Sequence, residues 1–170
     1  QQATRVHADI LVMCGVHFMG ETMKILCPDK KVLIPDMKAG CSLADSCDPK
    51  ELAEFRQAHP DYTIVSYVNT SAEVKALTDI VVTSSNAKKI IDQLPIDEKI
   101  LFGPDQNLGT YINSVTGRNM ELWNGSCHVH SRFSVKALLE LKKQFPGVPV
   151  LAHPECKQQI LILSDVIGST

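Results

Sequence analysis

A chain of 170 residues, 44% apolar and 21% charged, is long enough to bury a core and too apolar to stay disordered. Its 17 basic and 19 acidic residues give a net charge of −2, which excludes the basic footprint of a nucleic-acid binder. The longest apolar run, 10–16, is far shorter than the roughly 20 residues of a membrane helix. The expectation is a soluble, cytoplasmic protein with no nucleic-acid and no membrane partner.

In chain order, short β-branched or apolar runs at 10–13, 32–34, 63–68, 80–83, 100–102, 120–123, 148–151 and 165–167 alternate with helical patterns. Segment 48–58 opens with Asp48-Pro49, a cap followed by a first-turn proline, and sets Leu52 and Phe55 on one face. Segment 134–145 repeats the plan, with Ser134 as cap and Leu138, Leu141 and Phe145 as its apolar stripe. This order predicts an α/β fold with parallel sheets, in which ligands gather beyond the carboxyl ends of the strands.

An offset of 86 residues brings unlike residue types into register without a gap: Cys41 on Cys127, Leu52 on Leu138, Pro60 on Pro146 and Asp79 on Asp165. Tyr67 then meets His153, and Asn69 meets Glu155. A weaker echo sets 8–12 on 78–82, an offset of 70. The repeat predicts pseudo-threefold, three-layer α/β/α units: the tail of a first at 1–30, a second at 31–115 carrying Cys41, and an incomplete third at 116–170 carrying Cys127. It also places a third cysteine beyond position 170. The sequence ends at Thr170 inside a strand-like run, so the expectation is a longer parent chain.

The six cysteines, at 14, 27, 41, 47, 127 and 156, include no CxxC pair and suggest no disulfide framework, which fits a reducing compartment. Three converging lone thiolates can hold a [4Fe–4S] cluster with one iron open to substrate. A buried small hydrophobe is the ordinary fate of a lone cysteine, and spacing alone leaves both readings open. Gly40 before Cys41 and Gly125-Ser126 before Cys127 mark loops and favour ligands. His128 and His130 follow Cys127 at a spacing that zinc tolerates, but no regularly spaced fourth ligand accompanies them. A cluster ligand at Cys127 with His130 in an outer, hydrogen-bonding position is thus favoured over a zinc site. His17 and Met19 follow the first strand, where they can line the cleft.

Seven segments resemble the signature stretches of the quinolinate synthase family, in order along essentially the whole chain. They are Cys14-Gly15-Val16-His17-Phe18-Met19, Ala39-Gly40-Cys41-Ser42-Leu43-Ala44-Asp45, Ser66-Tyr67-Val68-Asn69-Thr70-Ser71, Val82-Thr83-Ser84-Ser85-Asn86, Pro104-Asp105-Gln106-Asn107-Leu108-Gly109, Ala152-His153-Pro154-Glu155-Cys156 and Gly168-Ser169-Thr170. The resemblance implies condensation of iminoaspartate with dihydroxyacetone phosphate to quinolinate, for NAD biosynthesis, in three similar α/β domains around an open-site [4Fe–4S] cluster. L-aspartate oxidase is then the implied supplier of iminoaspartate.

By the same resemblance Cys41 and Cys127 are the first two cluster ligands, with the third outside the chain. Tyr67, Val68, Asn69, Ser84, His153, Pro154, Glu155 and Thr170 fall on substrate-binding positions, and Tyr67, His153 and Glu155 are the acid–base candidates. Hydroxyls such as Ser84 and Thr170 suit carboxylate or phosphate groups, while a carboxyl, an imidazole and a phenol suit the repeated proton transfers. Cys14, Cys27, Cys47 and Cys156 match no ligand position. Bland alternatives exist for each: an interior tyrosine, a strand-end histidine, and helix caps at Ser84 and Thr170. Two other functions fit the pattern less well: a non-catalytic α/β module binding a phosphorylated metabolite through Ser84 and Thr170, and a different [4Fe–4S] hydro-lyase.

Overall fold

The computed structural model describes residues 2–169. In chain order the elements are α1 (Gln2–Arg5), β1 (Ile10–Val12), α2 (His17–Leu26), β2 (Lys31–Leu33), α3 (Ser42–Asp45), α4 (Pro49–Ala58), β3 (Thr63–Tyr67), α5 (Ala72–Ala76) and β4 (Ile80–Val82). There follow α6 (Ala87–Ile91), β5 (Ile100–Gly103), α7 (Gln106–Thr116), β6 (Glu121–Leu122), α8 (His128–Ser131), α9 (Val135–Gln144), β7 (Leu151–Ala152), α10 (Gln158–Ile162) and β8 (Val166–Ile167). All strand pairs are parallel: β1 with β2, β7 with β8, and a central sheet in the order β4-β3-β5-β6.

Strand alternation sorts the central core into two layers. Val65 and Tyr67 of β3 and Ile100 and Phe102 of β5 face Ala87 and Ile91 of α6 and Leu108 and Ile112 of α7. Ile64 and Leu101, from the same strands, face Leu52 of α4 and Val74 of α5 on the opposite side. With both faces covered, this sheet is a three-layer α/β/α unit. The expected caps form: Asp48 accepts from Lys50 N–H and Ser134 from Ala137 N–H.

The offset of 86 recurs in the bonding. Asp79 Oδ2 accepts from Ile64 N at 2.9 Å, and Asp165 Oδ2 accepts from Val150 N at 2.8 Å. Arg56 pairs with Asp79 and also donates to Leu77 O; Lys142 lies 3.5 Å from Asp165 and donates to Leu163 O. Thr78 Oγ1 donates to Val74 O as Ser164 Oγ donates to Ile160 O. Each of these residues has its counterpart 86 positions away, so 48–82 and 134–168 are built on one plan.

The weaker echo is corrected by topology. An offset of 70 would equate β1 with β4, but among the described residues β4 pairs only with β3, the strand before it, whereas β1 pairs with the strand that follows it, as β5 does with β6. His17 N donates to Ala39 O at 2.8 Å as Gln106 N donates to Gly125 O at 2.8 Å. Gly20 of α2 lies so close to Ile34 that a Cβ would collide, and a Cβ on Gly109 of α7 would sit 2.5 Å from Leu122. Segment β1-α2-β2 thus corresponds to β5-α7-β6. The α9 stripe also differs from expectation, since Leu141 and Phe145 are half exposed. The seventh strand starts at Leu151, leaving Val148 exposed in the preceding turn.

Candidate active site

Five loops at the carboxyl ends of parallel strands meet in one polar cluster. β3 ends in Tyr67, β4 leads to Ser84, β5 to Asp105, β7 to His153 and Glu155, and β8 to Ser169. Cys127 N-caps α8 with no side-chain bond of its own, and His130 lies within that helix. Parallel strands leave their unpaired ends there, so polar side chains reach a common space without interrupting the ladders.

Glu155 is the buried centre of the cluster, 3% exposed. His130 Nδ1 lies 3.0 Å from Glu155 Oε2, within ion-pair reach but turned so that it makes no hydrogen bond. The His130 and His153 rings stack, with centres 5.0 Å apart and planes 20° from parallel. His153 Nδ1 accepts from Glu155 N–H at 3.3 Å, which assigns the ring proton to Nε2, 3.3 Å from Ser84 Oγ. Ser84 Oγ in turn lies 2.8 Å from Ser169 Oγ. Burial and the neighbouring His130 push the His153 pKa down, so the imidazole is neutral at neutral pH.

The Tyr67 phenol faces Glu155 and Ser84; burial, the Glu155 charge and the bond to Glu155 push its pKa well above the ordinary value. Tyr67 therefore stays protonated and can donate. Asp105 is fully buried and accepts from Leu108 N at 2.8 Å and Cys127 N at 3.0 Å. Burial raises its pKa despite those bonds. One carboxylate thus caps α7 and fixes the Cys127 backbone.

Cys127, His130 and Glu155 offer ligand atoms all within 4.8 Å of one another and could hold a metal ion. Cys41 stands outside that trio, as the N-cap of α3. Cys41 and Cys127, both free and half-buried, pack on the edge of the same apolar core, which contains Tyr67. The residues that follow them, Ser42 and His128, hydrogen-bond to each other. Cys27, Cys47 and Cys156 are buried and Cys14 is exposed.

The structure thus brings together Tyr67, Ser84, His153 and Glu155, with Pro154 buried between the last two. Val68 and Asn69 stand apart, lining a cleft of about 440 Å³ with Met13, Phe18 and Met19. Thr170 lies outside the described residues. Ser84 is not a helix cap: Asn86 occupies that position for α6, and the Ser84 hydroxyl is used within the cluster. Sequence reasoning set His130 in an outer position and gave Asp105 no role. The signal for Asp105 was an acid just past a Gly-Pro break after an apolar strand and ahead of a helical pattern; for His130 it was its spacing from Cys127.

The family model for quinolinate synthetase A protein matches residues 1–170. The chain belongs to that family. Among curated family members, the quinolinate synthase of Synechocystis sp. is 60% identical over 170 residues, covering 100% of this chain and 54% of the relative. Those of Microcystis aeruginosa and Chloroherpeton thalassium are each 54% identical over the whole chain and 53% of their own length. The chain spans about half the length of the curated relatives it matches. No helix among the described residues is long and apolar enough to cross a membrane.

Proposed function

We propose that this chain carries the first two cluster-ligand cysteines, in the second and third α/β units, of a quinolinate synthase, which joins iminoaspartate and dihydroxyacetone phosphate into quinolinate, releasing one phosphate and two waters. The observation that carries this reading is the convergence of Tyr67, Ser84, His153 and Glu155 beside Cys127. In this reading the domain division is 1–30, 31–115 and 116–170, arranged with pseudo-threefold symmetry. The bonds that recur at an offset of 86, and the likeness of α2 to α7, support it.

The donor set fits an iron–sulfur cluster: two free, half-buried thiols at helix starts, with touching successors and an acidic, imidazole-bearing flank. Cys41 and Cys127 are the ligands, the third being expected beyond this chain. When bound, the cluster supplies Lewis acidity at an open iron, which favours loss of water from a bound hydroxyl.

The remaining chemistry belongs to side chains. Glu155, flanked by two imidazoles and a phenol, takes and returns protons as carbon–nitrogen and carbon–carbon bonds form. Tyr67, kept protonated, donates to developing oxyanions. His153 presents Nε2–H toward Ser84, and the Ser84 and Ser169 hydroxyls suit carboxylate or phosphate oxygens. Asn69, in the neighbouring loop, serves the polar carbon chain, and Val68 and Pro154 shape the walls. Thr170 completes the hydroxyl set. Iminoaspartate is unstable in water, so a cytoplasmic supplier such as L-aspartate oxidase fits this use.

The test is anaerobic turnover by the parent protein at the length of its relatives. Quinolinate should form from the two substrates, and Glu155→Gln should lower kcat by about 100-fold or more while iron content is kept. Absence of quinolinate from the iron-loaded wild type overturns the reading.

A further inference from the structure

The two segments related by the 86-residue offset share their latches and caps but differ at several buried or half-buried positions, one of which exchanges an apolar side chain for a charged one. In 134–168 that position is Leu161, an apolar residue 8% exposed; in 48–82 it is Lys75. A lysine where the same plan accepts leucine is not required by the fold, and burying an ammonium opposes folding unless it is bonded. Lys75 is fully used. Its Nζ donates to Val68 O at 2.9 Å and to Thr70 O, and lies 5.6 Å from the centre of the Phe18 ring.

Those carbonyls flank Asn69. Val68 N is bonded to Val82 O, Thr70 N to Val68 O, and the buried Thr70 hydroxyl to Tyr67 O. The backbone on both sides of Asn69 is therefore tied, while its side-chain amide has no partner among the described residues and borders the cleft shared with Met13 and Met19. At the corresponding turn, Val68 is replaced by Pro154, whose ring limits the backbone covalently. One turn is stiffened by proline and the other by an ammonium. Glu21 of α2 adds a second tie, accepting from Ala72 N at 2.9 Å at the start of the helix that carries Lys75.

We propose that Lys75 is a positioning residue, clamping the Val68 and Thr70 carbonyls so that Asn69 is presented to substrate in its bound orientation. This deepens the quinolinate synthase reading and rests on it. The clamp limits loop motion before binding, so its loss weakens substrate affinity more than the chemical step.

The test uses the full-length, iron-loaded enzyme with Lys75→Met, which keeps an unbranched stem and removes the donors. The expected result is a KM about tenfold higher for iminoaspartate or dihydroxyacetone phosphate, with kcat within about twofold and an unchanged Tm. Direct binding of the product quinolinate, used as a dicarboxylate probe, should weaken if iminoaspartate is the substrate affected. Burial lowers the Lys75 pKa to about 8, opposed by the charge of Glu21, itself 3.7 Å from His17. The wild-type KM should accordingly rise as pH passes about 8, and that rise should be missing in Lys75→Met. If Lys75→Met lowers Tm sharply, Glu21→Gln replaces it: the amine keeps its stem and carbonyls, and the rise in KM should move to lower pH. Wild-type KM values in a folded variant, or a loss of kcat at unchanged KM, overturn the proposal. A wild type that makes no quinolinate overturns instead the reading on which it rests.

Discussion

Ser42 and His128 stand 86 residues apart, each directly after a candidate ligand cysteine, and their side chains hydrogen-bond to each other. The contact spans 86 residues of sequence and joins the starts of α3 and α8. In the full-length iron-loaded protein, Ser42→Ala should leave the fold intact and speed chelator-driven iron loss several-fold, read from visible absorbance under anaerobic conditions. Cys41→Ser or Cys127→Ser should prevent stable loading altogether. Iron loss at the wild-type rate in Ser42→Ala would show that this contact does not steady the ligands.

The Asp79 latch makes a pH-dependent contribution to stability. Hydrogen bonds from Arg56 and Ile64 N–H hold its carboxyl below the ordinary range, against a smaller opposing effect of burial. A depressed native pKa means stability that is present above about 4, the unfolded value, and lost as pH falls through the lowered native one. Asp79→Asn should therefore cost about 1–2 kcal/mol at pH 7, with a difference from wild type that shrinks at low pH. Urea denaturation at several pH values tests this; a difference independent of pH would show that charge is not the source.

Gly125 lies in the loop that delivers Cys127 and has no room for a side chain. A Cβ there would sit 2.5 Å from Pro104 O and would press on the Ser46 side chain. Its carbonyl accepts from Gln106 N at 2.8 Å, beside the Asp105 that anchors Cys127 N. Backbone cannot yield as a flexible side chain can, so Gly125→Ala should destabilise by about 1–3 kcal/mol. It should also reduce iron retention, while Gly168→Ala, where a Cβ meets no atom within 4 Å, should change neither. Equal Tm values for the two variants would contradict the packing described.

What could be read from the sequence was mostly local. Asp48 and Ser134 announced their helices because a cap bonds within three residues of itself. The paired Asp79 and Asp165 were visible as a match, but their bonds to Ile64 and Val150, each 15 residues back, were not. Apolar strands resemble one another, and so the echo at 70 equated β1 with β4; hydrogen-bond partners, invisible in a string of letters, equate it with β5. Tyr67, Ser84, His153 and Glu155 were found through family-like segments. The spacing of His130 from Cys127 put it near the cluster position, but its stacking on His153, like the bond from Cys127 N to Asp105, came only from contacts across loops, since these depend on chain returns no spacing encodes. Lys75 was missed for the same reason: in sequence it is one lysine on a short helix.

The aspartate latches stand at the entrances of β4 and β8, and the side chains of the candidate site at the exits of the strands. Scaffold and candidate site are thus kept apart by the length of a strand. One exit can exchange tyrosine for histidine, as at 67 and 153, or amide for carboxylate, as at 69 and 155, without loosening the entrance. A frame repeated in this way lets two segments of one plan carry unlike side chains at their exits, a phenol or an imidazole, an amide or a carboxylate, on the same scaffold.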